Sequence, residues 1–145
     1  METSIIIPAY NEERRIEHTL NEYIKFFQKK IKSFEIIVVC DGTDRTVDIV
    51  KKISKRHRCV KLIRFSQRLG KGGGVYEGFK VAKGKTIGFT DADNSVEPYY
   101  YYKLLEKLSE CDCAIGSRRL LGSKMIIPQS TVWAISMRIV SRIFN

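Results

Sequence analysis

The sequence predicts an α/β fold with a mainly parallel sheet flanked by helices on both faces. Short apolar runs rich in Ile and Val alternate with segments of helical period, with no linker between them. The runs are nearly continuous in apolar residues, as strands buried on both faces require. Polar or glycine-rich stretches follow several of the runs, and open parallel sheets bind ligands beyond the carboxyl ends of their strands. At 145 residues the chain has the length of one domain, enough to bury roughly two-thirds of its unfolded surface.

The first strand is Ser4–Ile7, and Pro8 ends it. Asn11 is expected to cap the following helix, with Glu12 and Glu13 in its first turn. Ile16, Leu20, Tyr23, Ile24 and Phe27 then recur at helical spacing. Glu35–Cys40 reads as the second strand. The helix after it runs from about Asp44 to His57, with Val47, Ile49, Val50 and Ile53 inward. Val60–Phe65 is the third strand, followed by a glycine-rich loop from Arg68 that leads into a helix over Gly74–Ala82. Thr86–Thr90 is the fourth strand, Pro98–Leu108 a helix, and Cys113–Ile115 a fifth strand. Residues 1–125 read as the core. In 126–145, Val132, Trp133, Ile135, Ile139, Val140, Ile143 and Phe144 fall mostly on one side, with Arg138 and Arg142 together elsewhere. That amphipathic pattern suits a helix in a membrane interface or one packed on its own domain.

Lys and Arg exceed Asp and Glu by ten, 26 against 16, which favours an anionic partner such as a nucleotide or a phospholipid surface. Nucleic acid is the weaker reading, because the basic residues are dispersed and no recognition motif is present. The four cysteines, Cys40, Cys59, Cys111 and Cys113, form no disulfide framework and no zinc spacing, so core packing is expected for them in a reducing, cytoplasmic setting. The N-terminal residues lack the pattern of a signal peptide, and no apolar run approaches a membrane span. Membrane contact is therefore expected to be peripheral, on the cytoplasmic face.

The chemistry concentrates at strand ends. Asp91-Ala92-Asp93 puts two carboxylates one residue apart on one side of an extended backbone. Such a pair is costly unless a cation neutralises it, and hard oxygen ligands suit Mg²⁺ or Mn²⁺ with substrate phosphates completing the shell. A solvated turn is the alternative for an Asp-x-Asp taken alone. Asp41 is placed to accept hydrogen bonds from a base or ribose, or else to shape a tight turn before Asp44. Arg68-Leu69-Gly70-Lys71-Gly72-Gly73-Gly74 offers amides, a helix N-terminus and positive charge to a phosphate, without the Walker A spacing. Pro8-Ala9-Tyr10 could present backbone groups and an aromatic face to a base.

Read in order, Ser4–Glu13 (SIIIPAYNEE), Val39–Asp44 (VCDGTD), Arg68–Gly73 (RLGKGG), Asp91-Ala92-Asp93 and Gly116-Ser117-Arg118 resemble the GT-A-fold family 2 glycosyltransferases. The resemblance covers essentially the whole chain and is strongest to the dolichyl-phosphate glucose and mannose synthases. It implies an inverting enzyme that moves a hexose from UDP-glucose or GDP-mannose to a polyprenyl or dolichyl phosphate. It also implies that Pro8, Tyr10, Glu12 and Asp41 hold the nucleoside, with Arg68 and Lys71 beside it. Asp91 and Asp93 would flank Mg²⁺ or Mn²⁺, and Arg118, with Arg138, would lie near the phosphates. Asp91, Asp93 and Arg118 are then the catalytic set. Two departures stand out: Cys40 replaces an acidic residue common before Asp41, and Asn94-Ser95 follows the acidic pair. The resemblance implies a further segment past position 145 containing Asp-Thr-Gln-Cys-Gly, so a truncated chain, a split protein whose second subunit supplies that segment, and a degenerate copy are all open. A glycan or protein acceptor, or a donor-binding subunit inactive by itself, are the alternatives.

Overall fold

A computed structural model describes residues 2–117 of the chain. Arg118, Arg138 and the amphipathic stretch 126–145 lie outside the described residues. Residues Met1–Ala114 form one compact unit. Its order is β1 (Thr3–Ala9), α1 (Ile16–Lys30), β2 (Phe34–Cys40), α2 (Thr46–Arg56), β3 (Val60–Arg64), α3 (Gly70–Val81), β4 (Thr86–Phe89) and α4 (Pro98–Lys107).

The four strands form one sheet in the order β3-β2-β1-β4. Every pairing is parallel, with Ile5 opposite Ile36 and Gly88, and Val38 opposite Leu62. The expected fold class holds. The chain steps outward from β1 to β3 and returns to place β4 on the other side of β1. The order in which strands are added therefore reverses between β1 and β4, where such sheets open a crevice at their carboxyl ends.

Alternation along the strands divides the core. Ile5, Ile7, Ala9, Ile36, Val38 and Cys40 share one face with Ile16, Leu20, Tyr23, Ile24 and Phe27 of α1 and with Tyr101 of α4. Ile6, Ile37 and Val39 face the other way, toward Leu69, Ala82 and Ile87. Helix α3 lies close on this second face: a Cβ added at Gly78 would overlap Ile6. The inward residues expected for α1 are all buried. In α2, Val50 and Ile53 are buried, while Val47 and Ile49 pack against the core half-covered.

Four local expectations need correction. Asn11 is not the cap of α1, which begins at Ile16; it takes a left-handed φ of 54° and sends its side chain to another loop. The glycine-rich segment is not a loop before α3 but its first turn, where the Asp41 carboxylate holds the leading amides and Gly74 packs close to Pro8 of β1, against the poor helix propensity of glycine. Cys113–Ile115 forms no strand; a strand exists through its ladder, and no described strand pairs with it. Cys111 and Cys113 are exposed rather than in the core, Cys59 is half-buried just before β3, and only Cys40 is buried.

Candidate functional site

The carboxyl ends of β1, β2 and β4 and the start of α3 enclose a cleft of about 240 Å³. Its lining contains Pro8, Tyr10, Glu12, Asp41, Arg68, Lys71, Asp91 and Asp93. Every described residue singled out from the sequence for ligand or metal binding thus reaches one cavity. Residues more than eighty positions apart meet there because β1 and β4 are neighbours.

Two loops are locked together beneath the cleft. Asn11 Oδ1 accepts the Thr43 N–H at 2.9 Å, and a Cβ on Gly42 would approach that oxygen to 2.6 Å, so glycine is needed there. In return, Asp44 accepts the Glu13 N–H at 3.0 Å and Thr46 Oγ1 accepts the Glu12 N–H at 2.9 Å. Asp44 also accepts the Thr46 N–H and hydroxyl, just ahead of α2. Burial alone would raise the Asp44 pKa, but these hydrogen bonds outweigh it and hold the carboxylate below its ordinary value.

Asp41 is mostly buried, and its Oδ2 accepts the N–H groups of Leu69 at 2.7 Å and Gly70 at 3.0 Å. Neither amide has a partner within α3, so Asp41 serves as the cap that the local sequence of α3 lacks. Gly70 takes a φ of 71°, a conformation that favours glycine. The turn brings Arg68 over Tyr10, with the guanidinium carbon 4.2 Å from the ring centre. Cys40, the residue before Asp41, packs in the core and does not line the cleft; burial, aided by the charges of Asp41 and Asp44, pushes its thiol up to about 12.

The Asp91–Asp93 loop rests on α1. Buried Thr19 donates to the Ala92 carbonyl at 2.8 Å, and the Tyr23 hydroxyl donates to the Val96 carbonyl at 2.7 Å. Burial raises the Tyr23 pKa to about 12, so it remains a neutral donor. Asp93 accepts the Ser95 N–H at 3.0 Å. Although burial opposes it, that bond and the Arg15 charge hold the Asp93 pKa below its ordinary value, so the group is ionised near neutrality. Lys71 Nζ lies 2.5 Å from Asp91 Oδ1, and Arg15 Nη1 lies 3.8 Å from Asp93. Arg15 is itself gripped by both oxygens of Glu12, at 2.7 and 2.8 Å.

Arg15, Thr19, Tyr23 and Thr46 carry these arrangements without having been singled out from the sequence. The i,i+3 spacing of Glu12 and Arg15 was a usable signal. Tyr23 read simply as part of the inward face of α1 and Thr19 was not singled out at all; only the tertiary contact gives their hydroxyls a purpose. Among the described residues, no three His, Cys, Asp or Glu side chains cluster as a self-sufficient metal site. A pair of carboxylates opening on a cleft instead matches ions that complete their shell with ligand phosphates.

A parallel sheet with an acidic pair and a glycine-rich basic helix start at its switch point defines an α/β domain of the kind that binds ligands beyond the carboxyl ends of its strands. The model of Glycosyl transferase family 2 matches residues 4–125, and the chain belongs to that family. It is 35% identical to a dolichyl-phosphate beta-glucosyltransferase of Drosophila melanogaster, over 90% of this chain and 44% of the relative. It is 34% identical to the protein of the same name from Saccharomyces cerevisiae, over 89% of this chain and 45% of the relative. The chain therefore spans less than half the length of these curated relatives. Among solved structures, the 1–349 portion of S. aureus TarS superposes with a TM-score of 0.64 at 25% identity, covering 90% of this chain and 39% of that one. The mannosyltransferase PcManGT from Pyrobaculum calidifontis, in complex with GDP-Man and Mn²⁺, gives 0.58 at 28% identity over 63% of this chain and 27% of that one. The fold is GT-A.

Proposed function

We propose that the chain is the donor-binding core of a glycosyltransferase that moves a hexose from a nucleotide sugar to a polyprenyl phosphate, with inversion. The observation that carries this reading is the single cleft lined by Pro8, Tyr10, Glu12, Asp41, Arg68, Lys71, Asp91 and Asp93. The dolichyl-phosphate glucosyltransferases among the relatives support the acceptor class; for the donor we propose UDP-glucose or GDP-mannose, a choice supported by the GDP-Man complex of PcManGT.

In this reading Tyr10 and Arg68 flank the base, and Asp41 offers its Oδ1 to the nucleoside while its Oδ2 holds α3. The start of α3 and Lys71 face the diphosphate, where the helix N-terminus favours negative charge. Asp91 and Asp93 would hold Mg²⁺ or Mn²⁺, which stabilises charge growing on the departing diphosphate. Arg118 and Arg138 are assigned to the same phosphates. The acceptor phosphate is already anionic near neutrality, its second pKa being about 6, so positioning matters more than a strong general base. No helix among the described residues is long and apolar enough to cross a membrane, and we assign the acceptor encounter to peripheral contact at the cytoplasmic face.

The test is calorimetric titration of the purified chain with UDP-glucose and GDP-mannose, in Mn²⁺ and then in chelator. Binding of one donor that requires the metal, and is abolished in Asp93→Ala, is the expected result. Equal affinity in wild type and Asp93→Ala, with or without chelator, refutes the metal assignment. Failure of both donors to bind in any condition refutes the donor site.

A further inference from the structure

We infer that Lys71 is an internal counter-ion that occupies the cation position at Asp91 and is released to the donor's diphosphate when donor and metal arrive. This rests on the donor-site reading above. The two acidic residues are neutralised in different ways. Arg15, beside Asp93, is fixed by two short hydrogen bonds to Glu12. Lys71, beside Asp91, has no second ion-pair partner among the described residues; its side chain is 57% exposed and ends near the Phe89 ring, 5.8 Å from its centre.

The backbone of Lys71 is held while its side chain is more than half exposed. It is the second residue of α3, whose first amides are pinned by Asp41. A lysine ammonium on a flexible four-carbon stem can exchange one anionic partner for another within the same cleft. The exchange is easy because a half-exposed ion pair contributes little. While Lys71 sits on Asp91, it opposes a divalent ion at that carboxylate by like charge. A donor diphosphate removes this opposition by offering Lys71 a stronger partner, beside a helix N-terminus that also favours the anion. Metal and donor then bind with positive coupling, each raising the affinity for the other by the same factor.

Lys71→Met keeps the stem and removes the charge, and Lys71→Arg keeps the charge. Free Mn²⁺ is followed by its electron paramagnetic resonance signal as each protein is titrated, first without donor and then with UDP-glucose or GDP-mannose. In Lys71→Met, Mn²⁺ affinity without donor is expected to rise about fivefold. Its donor affinity in saturating Mn²⁺ is expected to fall about tenfold. Lys71→Arg is expected to match wild type without donor. A purely structural lysine would not strengthen metal binding when removed. If wild type binds Mn²⁺ with a donor but Lys71→Met shows equal or weaker Mn²⁺ affinity without donor, the counter-ion role is overturned while the donor site stands. A rise in both variants also overturns it. If no protein binds Mn²⁺ with either donor, the donor-site reading fails and this inference with it.

Discussion

Replacing either of two glycines of α3 by alanine should have opposite effects on stability. At Gly78, the new Cβ would overlap Ile6 Cγ2 and lie 3.0 Å from its Cγ1 and 3.2 Å from its Cδ1. Ile6 is fully buried in the middle of β1 and β-branched, so it cannot rotate away cheaply. Overpacking of this kind costs about 1–3 kcal/mol. Against it stands the helix propensity of alanine over glycine, about 1 kcal/mol. The net expectation for Gly78→Ala is a loss of roughly 1 kcal/mol. At Gly72 nothing lies within 4 Å of the added carbon. Only the propensity remains, and Gly72→Ala should gain about 1 kcal/mol. Urea denaturation of the two variants beside wild type measures both, as shifts in midpoint at unchanged slope. Gly78→Ala as stable as Gly72→Ala would refute the claim that α3 is seated on β1 through a missing side chain.

Two further substitutions test the supports around the sheet. Glu35 is fully buried in β2; burial would raise its pKa, but hydrogen bonds from Lys61, Ser4 and the Lys83 N–H lower it overall. A depressed folded-state pKa contributes stability that is complete above the ordinary value of 4.5 and is lost as pH falls through the folded value. The stability difference between wild type and Glu35→Gln should therefore shrink as denaturation is repeated from pH 7 down to pH 3, and a constant difference contradicts the assignment. Tyr23→Phe removes the donor to the Val96 carbonyl, which should cost about 1 kcal/mol and speed amide exchange across residues 92–96. Unchanged exchange there would mean that α1 does not brace the acidic loop.

The sequence by itself determined the parallel α/β class, because buried strands with helical segments between them leave few other ways to cover both faces of a sheet. It also pointed to Asp41, Lys71, Asp91 and Asp93, which sit where strands end or a helix begins and line one cleft. Their roles in ligand binding await the titrations above. Features set by contact between distant segments were not legible. Asn11 resembles a helix cap, yet its partner amides lie on the loop after β2, and only the approach of Gly42 makes that bridge possible. The run from Gly70 to Gly74 reads as a loop by propensity, whereas packing on β1 and the Asp41 carboxylate make it helix. Cys113–Ile115 has strand character but no described ladder partner, so its composition could not settle its state. Tertiary structure alone decided which cation faces which carboxylate. Pairing Lys71 with Asp91 and Arg15 with Asp93 depends on α1, α3 and β4 converging within a few ångströms, and local sequence does not encode that distance.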